Sequence, residues 1–390
     1  MQKLTERIFA VGVQNPTLRV FDIIMQTEYG TTYNAYLVKG DQKTALIDGV
    51  HARFFDVLMK NLEAAGCQKV DYLVVNHAEP DHSGAIAELL KVFPDMEIVA
   101  TPGGLKNLEQ ITNRPDFKRR PAKEPLDLGG VTLQFEAAPM LHWPDTMFTS
   151  CPEEKVLFTC DFLGAHYAEA AVVDTEVKYP DRYMHGFTGY YQAIFGPFKP
   201  FVLAGLAKVE AFAPAMVCPS HGPVLTETLP KVMELYRTWS QPQPKGRKAA
   251  VAYVSAYGCT RTLAEEIAKV LTEGGAEVDL FDLLDRPCPA AAEAVMSADL
   301  VFVGTPTINR DALKPVWDLM TSLDAVNTKG KPVGIFGSYG WSGEGVPMIS
   351  ARAKSLNMKV LGEVRAVFVP SEADLQAVRE LAAAGLKELG

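Results

Sequence analysis

The chain has 390 residues, 48% of them hydrophobic, and a formal net charge of −9 with no cluster of Lys or Arg. That length calls for two or three domains with substantial cores, and the acidic balance excludes nucleic acid as the main partner. Lys3, Glu6 and Arg7 stand where a signal peptide needs its apolar core, and the apolar run at 200–219 is broken by Lys208 and Glu210, so neither secretion nor a membrane span is expected.

In chain order, short strands are expected at 8–13, 20–24, 34–38 and 44–47, with a hairpin-like turn at residues 39–42. A helix covers 54–65. The strand at 72–75 leads into the polar cluster His77-Ala78-Glu79-Pro80-Asp81-His82, before a helix at 84–92. Further strands fall near 97–100, 131–137 and 156–159. Antiparallel strands mixed with flanking helices indicate an α/β sandwich. The stretch 241–246, with two prolines and a glycine, reads as a linker, dividing the chain into 1–246 and 247–390. Beyond it, strands at 249–254, 277–280, 300–303, 333–336 and 364–369 alternate with helices. That is the pattern of a doubly wound parallel five-stranded sheet in an α/β domain.

The cysteines, at 67, 151, 160, 218, 259 and 288, form no C-x-x-C pair, which excludes zinc ribbons and thioredoxin-type motifs and suits a reducing, cytoplasmic compartment. Metal chemistry is concentrated elsewhere. Besides the cluster at 77–82, apolar runs deliver His142, Asp161 and His221 to loops. Together His77, Glu79, Asp81, His82, His142, Asp161 and His221 supply four imidazoles and three carboxylates. Seven ligands exceed one tetrahedral ion and suit a two-metal site, with Asp161 as the bridge because three ligands then remain for each metal. His51, His166 and His185 are read as surface or supporting residues.

In the second part, Ser255, Tyr257, Gly258, Cys259 and Thr260 form a hydroxyl-rich turn into a helix, a cradle for a phosphate monoester. It lacks the Lys of a P-loop. Pro306, Thr307, Ile308 and Asn309 follow the third strand; Ser338, Tyr339, Gly340, Trp341, Ser342 and Gly343 follow the fourth. All three loops sit at strand C-termini, where such sheets bind ligands. Tyr339 and Trp341 are expected to flank a flavin ring.

The order H-x-E-x-D-H resembles the H-x-H-x-D-H motif of the metallo-β-lactamase fold, with Glu79 in place of the second histidine; a hard anionic oxygen there favours iron over zinc. Over its whole length, the chain resembles the flavodiiron proteins: a metallo-β-lactamase-like αββα sandwich followed by a flavodoxin-like domain. That resemblance implies flavin mononucleotide (FMN) and two iron ions, one held by His77, Glu79 and His142, the other by Asp81, His82 and His221, with Asp161 bridging. It implies reduction of dioxygen to water or of nitric oxide to nitrous oxide, with electrons from a separate rubredoxin or similar carrier, since no fused rubredoxin is expected. It also implies a head-to-tail homodimer, in which the flavin of one subunit faces the metals of the other, and room for a tetramer. Two residues depart from the pattern: Cys160, where hydrolases of the wider fold have glycine, and Cys259, where Asn or Ser is common. Tyr190 and Tyr191 are candidates for a hydrogen bond to the bound substrate, against the commoner reading as core or surface tyrosines. The rival readings are a dinuclear zinc hydrolase with a regulatory flavodoxin domain, and an electron carrier whose first domain only docks partners.

Overall fold

The computed structural model describes residues 1–22, 25–242 and 246–390. The expected strand at 20–24 and the expected linker at 241–246 therefore fall partly outside the described residues. Two compact units emerge, Met1–Pro242 and Gln243–Gly390. Among the described residues no helix is long and apolar enough to cross a membrane.

The first unit has two facing sheets. One is seven-stranded and mixed, in the order Gln2–Lys3, Ile8–Ala10, Tyr36–Lys39, Thr44–Ile47, Tyr72–Val75, Glu97–Ala100, Arg119–Pro121. The other is five-stranded: Leu126–Asp127, Thr132–Ala137, Met147–Cys151, Val156–Cys160, Met216–Pro219. Side chains alternate across each strand. Tyr36, Val38, Val74 and Val99 meet Leu133, Met147 and Phe158 between the sheets. Leu37, Leu73 and Ile98 face outward onto Leu58, Ile86 and Leu108 of the helices Phe55–Ala64, Ile86–Val92 and Pro102–Thr112. Phe148, Leu157 and Val217 face Phe187, Leu206 and Val232 of the helices Pro180–Tyr190, Lys199–Phe212 and Leu229–Ser240. The result is a four-layer αββα sandwich.

The expected strand at 8–13 is split. A Cβ on Gly12 would lie 2.4 Å from the Tyr33 carbonyl oxygen, so the chain crosses close to its neighbour there, and Val13–Asn15 leaves the main sheet to pair with Thr31–Tyr33. Met147–Cys151, fully buried, was not expected as a strand, because Thr149 and Ser150 interrupt its apolar pattern.

The second unit is an all-parallel sheet in the order Glu277–Asp282, Lys248–Tyr253, Leu300–Gly304, Pro332–Tyr339, Lys359–Val367. In chain order that is 2-1-3-4-5, the flavodoxin-like doubly wound arrangement. Val251 and Phe302 face the helices Cys259–Glu273 and Glu372–Leu389, while Ala250 and Val303 face Cys288–Ser297, Lys314–Ser322 and Gly345–Ser355.

Candidate metal centre and cofactor pocket

All seven predicted ligands come together. His77 and Glu79 follow the Tyr72–Val75 strand, and Asp81 and His82 ride on the single turn Pro80–Ser83. Asp161 and His221 leave the ends of two parallel strands, Val156–Cys160 and Met216–Pro219. His142 precedes Met147–Cys151, whose antiparallel pairing with Val156–Cys160 brings that loop to the same edge.

The donors form two triads that meet at Asp161. His77 Nε2 lies 3.0 Å and His142 Nε2 3.1 Å from Glu79 Oε2, and both face Asp161 Oδ2, at 3.8 and 3.6 Å. His82 Nε2 and His221 Nε2 lie 3.3 and 3.1 Å from the Asp81 oxygens and face Asp161 Oδ1, at 3.0 and 3.3 Å. Ligands about 2.1 Å from a shared ion sit about 3.0 Å apart in an octahedron and about 3.4 Å apart in a tetrahedron. The observed spacings fit that geometry. Both oxygens of Asp81 and Asp161 and both nitrogens of His82 are buried without an aligned hydrogen bond. Such atoms cost about 1–3 kcal/mol each when left unpaired, so the donor set fits a bound cation, which would satisfy them together. Imidazole with hard carboxylate oxygen suits iron, zinc or manganese.

The electrostatics agree. Burial works against a charged His77, but Asp145, Glu79 and Asp161 outweigh it and raise its pKa from 6.5 to about 9. Burial likewise opposes charge on His221, and Asp161 with Asp81 raises it to about 9. Despite its own burial, Asp161 is held well below the usual carboxylate range, chiefly by His82 and His221. The carboxylates thus set a field that favours a cation.

Supporting contacts orient the ligands. Asp145 Oδ1 lies 3.3 Å from His77 Nδ1, and its other oxygen accepts the Ala78 N–H at 2.9 Å. His221 Nδ1 donates to the Thr32 carbonyl at 2.6 Å, and the Asn34 side-chain amide ties Pro219 and Gly222 at 2.8 Å each. Asp145 is not among the residues singled out from the sequence; its place three residues after His142 is the available signal. Cys160 adopts φ +51°, the left-handed conformation that glycine takes freely, and its buried Sγ accepts the Ser220 hydroxyl at 3.3 Å. Burial pushes its thiol pKa well up, so it is a neutral neighbour of the site.

Of the remaining histidines, His51 accepts the Arg53 N–H at 3.2 Å, and His185 lies on the surface by Glu28. His166 is buried, with Nδ1 2.9 Å from the Thr31 hydroxyl and its ring 5.1 Å from His221. Tyr190 packs 5.8 Å from His221, whereas the Tyr191 hydroxyl is occupied by Ser240 at 2.8 Å.

In the second unit, Tyr257, Cys259, Pro306, Thr307, Ile308, Ser338, Tyr339 and Gly340 line one cavity of ≈ 400 Å³. Gly258, at φ +87°, caps the Cys259–Glu273 helix without a side-chain hydrogen bond of its own, leaving the Cys259 and Thr260 N–H groups free for an anion. Ser255 accepts the Arg261 N–H at 3.2 Å, and Thr260 pairs with Ser338 at 2.9 Å, which ties the first loop to the third. Asn309, at φ +55°, turns the hairpin Thr307–Ile308 to Asp311–Ala312. Trp341 is 93% exposed, outside the lining; Ser342 and Gly343 belong to the bend after it, with Gly343 beneath the Tyr339 ring. Sequence reasoning missed Phe368 and Val369, which complete the wall. Read as the end of a strand, they lie beyond Val367 and are exposed.

The ODP family beta lactamase model matches residues 31–222, and the Flavodoxin model matches 251–381. Flavo-diiron protein FprA2 of Clostridium acetobutylicum is 44% identical over 96% of this chain and 96% of its own. A protein of Moorella thermoacetica named nitric oxide reductase is 34% identical over 97% and 96%. Among solved structures, rubredoxin oxygen:oxidoreductase from Desulfovibrio gigas superposes with a TM-score of 0.72 at 27% identity, covering 100% of this chain and 98% of that one.

Proposed function

The chain belongs to the flavodiiron protein family, and on that premise we propose that it reduces dioxygen to water, nitric oxide to nitrous oxide, or both, at two irons fed by FMN. The observation that carries this is the division of the Asp161 carboxylate, one oxygen toward each triad. His77, Glu79 and His142 would hold one iron and Asp81, His82 and His221 the other, with Asp161 bridging. Two irons held there would supply one electron each to a diatomic ligand.

The chain's own residues arrange the rest. Asp145 holds the His77 ring so that Nε2 faces the pocket, and the Thr32 carbonyl does the same for His221. Buried Phe195 and Tyr190 pack against His142 and His221 and shield that side of the centre from bulk water. The loops around Tyr257, Thr307 and Tyr339 would clasp FMN, with its phosphate on the free N–H groups after Gly258. Trp341, exposed in the single chain, would be covered by a head-to-tail partner subunit. Rubredoxin or a similar carrier would supply electrons, in the cytoplasm. A dinuclear zinc hydrolase is not favoured, because the full-length relatives are oxidoreductases by name.

The test is turnover of one anaerobically reduced, iron-loaded preparation with oxygen and, separately, with nitric oxide. Fast loss of either gas identifies the substrate. If neither is consumed with iron and flavin present, the reading fails.

A further inference from the structure

His221 and His166 hang from one hydroxyl. Thr31 Oγ1 lies 3.3 Å from His221 Nδ1 and 2.9 Å from His166 Nδ1. His221 Nδ1 carries a proton, because it donates to the Thr32 carbonyl. The Thr31 hydroxyl therefore gives its own hydrogen to His166 Nδ1, the nearer of its acceptors, the Thr32 carbonyl being 3.3 Å away. Burial and the neighbouring His221 hold the His166 pKa well below 6.5, so that ring is neutral. Its single proton then sits on Nε2.

That N–H has nothing to bond. His166 is 5% exposed, and among the described residues no group pairs with Nε2. Phe21 and Tyr190 close on the ring, their centres 4.4 and 4.7 Å away. Phenylalanine would fill the same space without burying a donor, so packing alone does not account for the histidine. Both imidazoles turn Nδ1 toward Thr31, which puts each Nε2 on the far side of its ring. For His221 that side holds the Asp81 and Asp161 oxygens, at 3.1 and 3.3 Å. With the two ring centres 5.1 Å apart, His166 stands at the edge of the same pocket. It belongs to none of the groups of donors close enough to share an ion.

We infer that His166 Nε2–H donates a hydrogen bond to the outer atom of a small ligand bound at the second triad. The inference rests on the two-metal reading proposed above. A diatomic molecule that gathers electrons, or a small anion such as azide, offers an outer atom able to accept that bond. Glu79, Asp81 and Asp161 offer such a ligand only acceptors, and Phe21 and Phe195 offer only apolar ring. His166 supplies the donor, already oriented by Thr31 before the ligand arrives.

The experiment titrates the oxidised, iron- and FMN-loaded enzyme with sodium azide, in the parent and in His166→Phe and His166→Gln. Affinity is read from difference absorption and the bound azide from its infrared stretch, in water and in deuterium oxide. Elemental analysis should give two irons per chain in all three proteins. His166→Phe should bind azide roughly 10-fold more weakly, the effect of one lost hydrogen bond, and should lose the deuterium shift of the azide band. His166→Gln, which keeps an N–H near the same place, should stay close to the parent. Equal affinity in His166→Phe, or His166→Gln as weak as His166→Phe, overturns the assignment. If His166→Phe folds poorly, the parent decides: an azide band that does not shift in deuterium oxide overturns it, as does a two-iron parent that binds no azide. A parent that holds no iron overturns the two-metal reading itself.

Discussion

Each oxygen of Asp161 faces a different triad, so removing that side chain takes a donor from both. Asp161→Ala should strip both metals and leave FMN bound; retention of two irons per chain by elemental analysis would rule out the bridge. Asp145 touches no proposed ion and acts through His77 Nδ1. Asp145→Asn should therefore weaken metal binding by about 10- to 100-fold, the usual effect of losing such an orienting carboxylate. Competition with a graded series of chelators measures it, and an unchanged midpoint would show that packing alone holds the His77 ring. The loss should be confined to the triad containing His77, a distinction that Mössbauer spectra of the two irons would resolve.

At the scale of the element, Asp174 pins the segment around Val173 to the strand of chain that follows His221. Its carboxylate accepts four hydrogen bonds, from the backbone and hydroxyl of Thr226 and of Thr228. Burial alone would raise its pKa, but those bonds outweigh burial and hold it below 3.8. A carboxylate with a depressed folded pKa stabilises the fold above its unfolded pKa and loses that contribution as pH falls through the folded value. Asp174→Asn should thus cost about 1–3 kcal/mol near neutrality, and urea denaturation should show the gap closing below about pH 4. In the second unit, a Cβ on Gly337 would lie 1.9 Å from the Thr305 carbonyl oxygen. Gly337→Ala should cost about 1–3 kcal/mol and weaken FMN binding by displacing the loop that follows Thr305, which a flavin titration reads directly. The parallel strands of this unit were legible because their apolar runs are continuous and separated by helical stretches. The first unit was harder: Gly12 breaks one expected strand, and Thr149 and Ser150 disguise another. The seven candidate ligand residues were legible since each follows an apolar strand or flanks one, whereas Phe368 and Val369 look like core in sequence and become cavity wall only through the fold.

For the whole molecule, the proposed head-to-tail arrangement makes transfer from flavin to metal depend on a second chain. Specific activity should fall when the enzyme is diluted below the dissociation constant of the dimer and recover on concentration. Constant activity across that range, with monomers verified by sedimentation, would place transfer within one chain. The two units also differ in when their sites can close. The last proposed metal ligand is His221, and the final helix of that unit ends at Ser240. The flavin cavity needs Phe368 and Val369, beyond the fifth strand of a sheet whose neighbours are all parallel. Ribosomes emit roughly 5–20 residues per second and N-terminal domains fold first. The nascent chain would therefore have seconds in which its proposed metal unit can fold before a complete flavin cavity exists, so iron would meet the chain earlier in its synthesis than flavin.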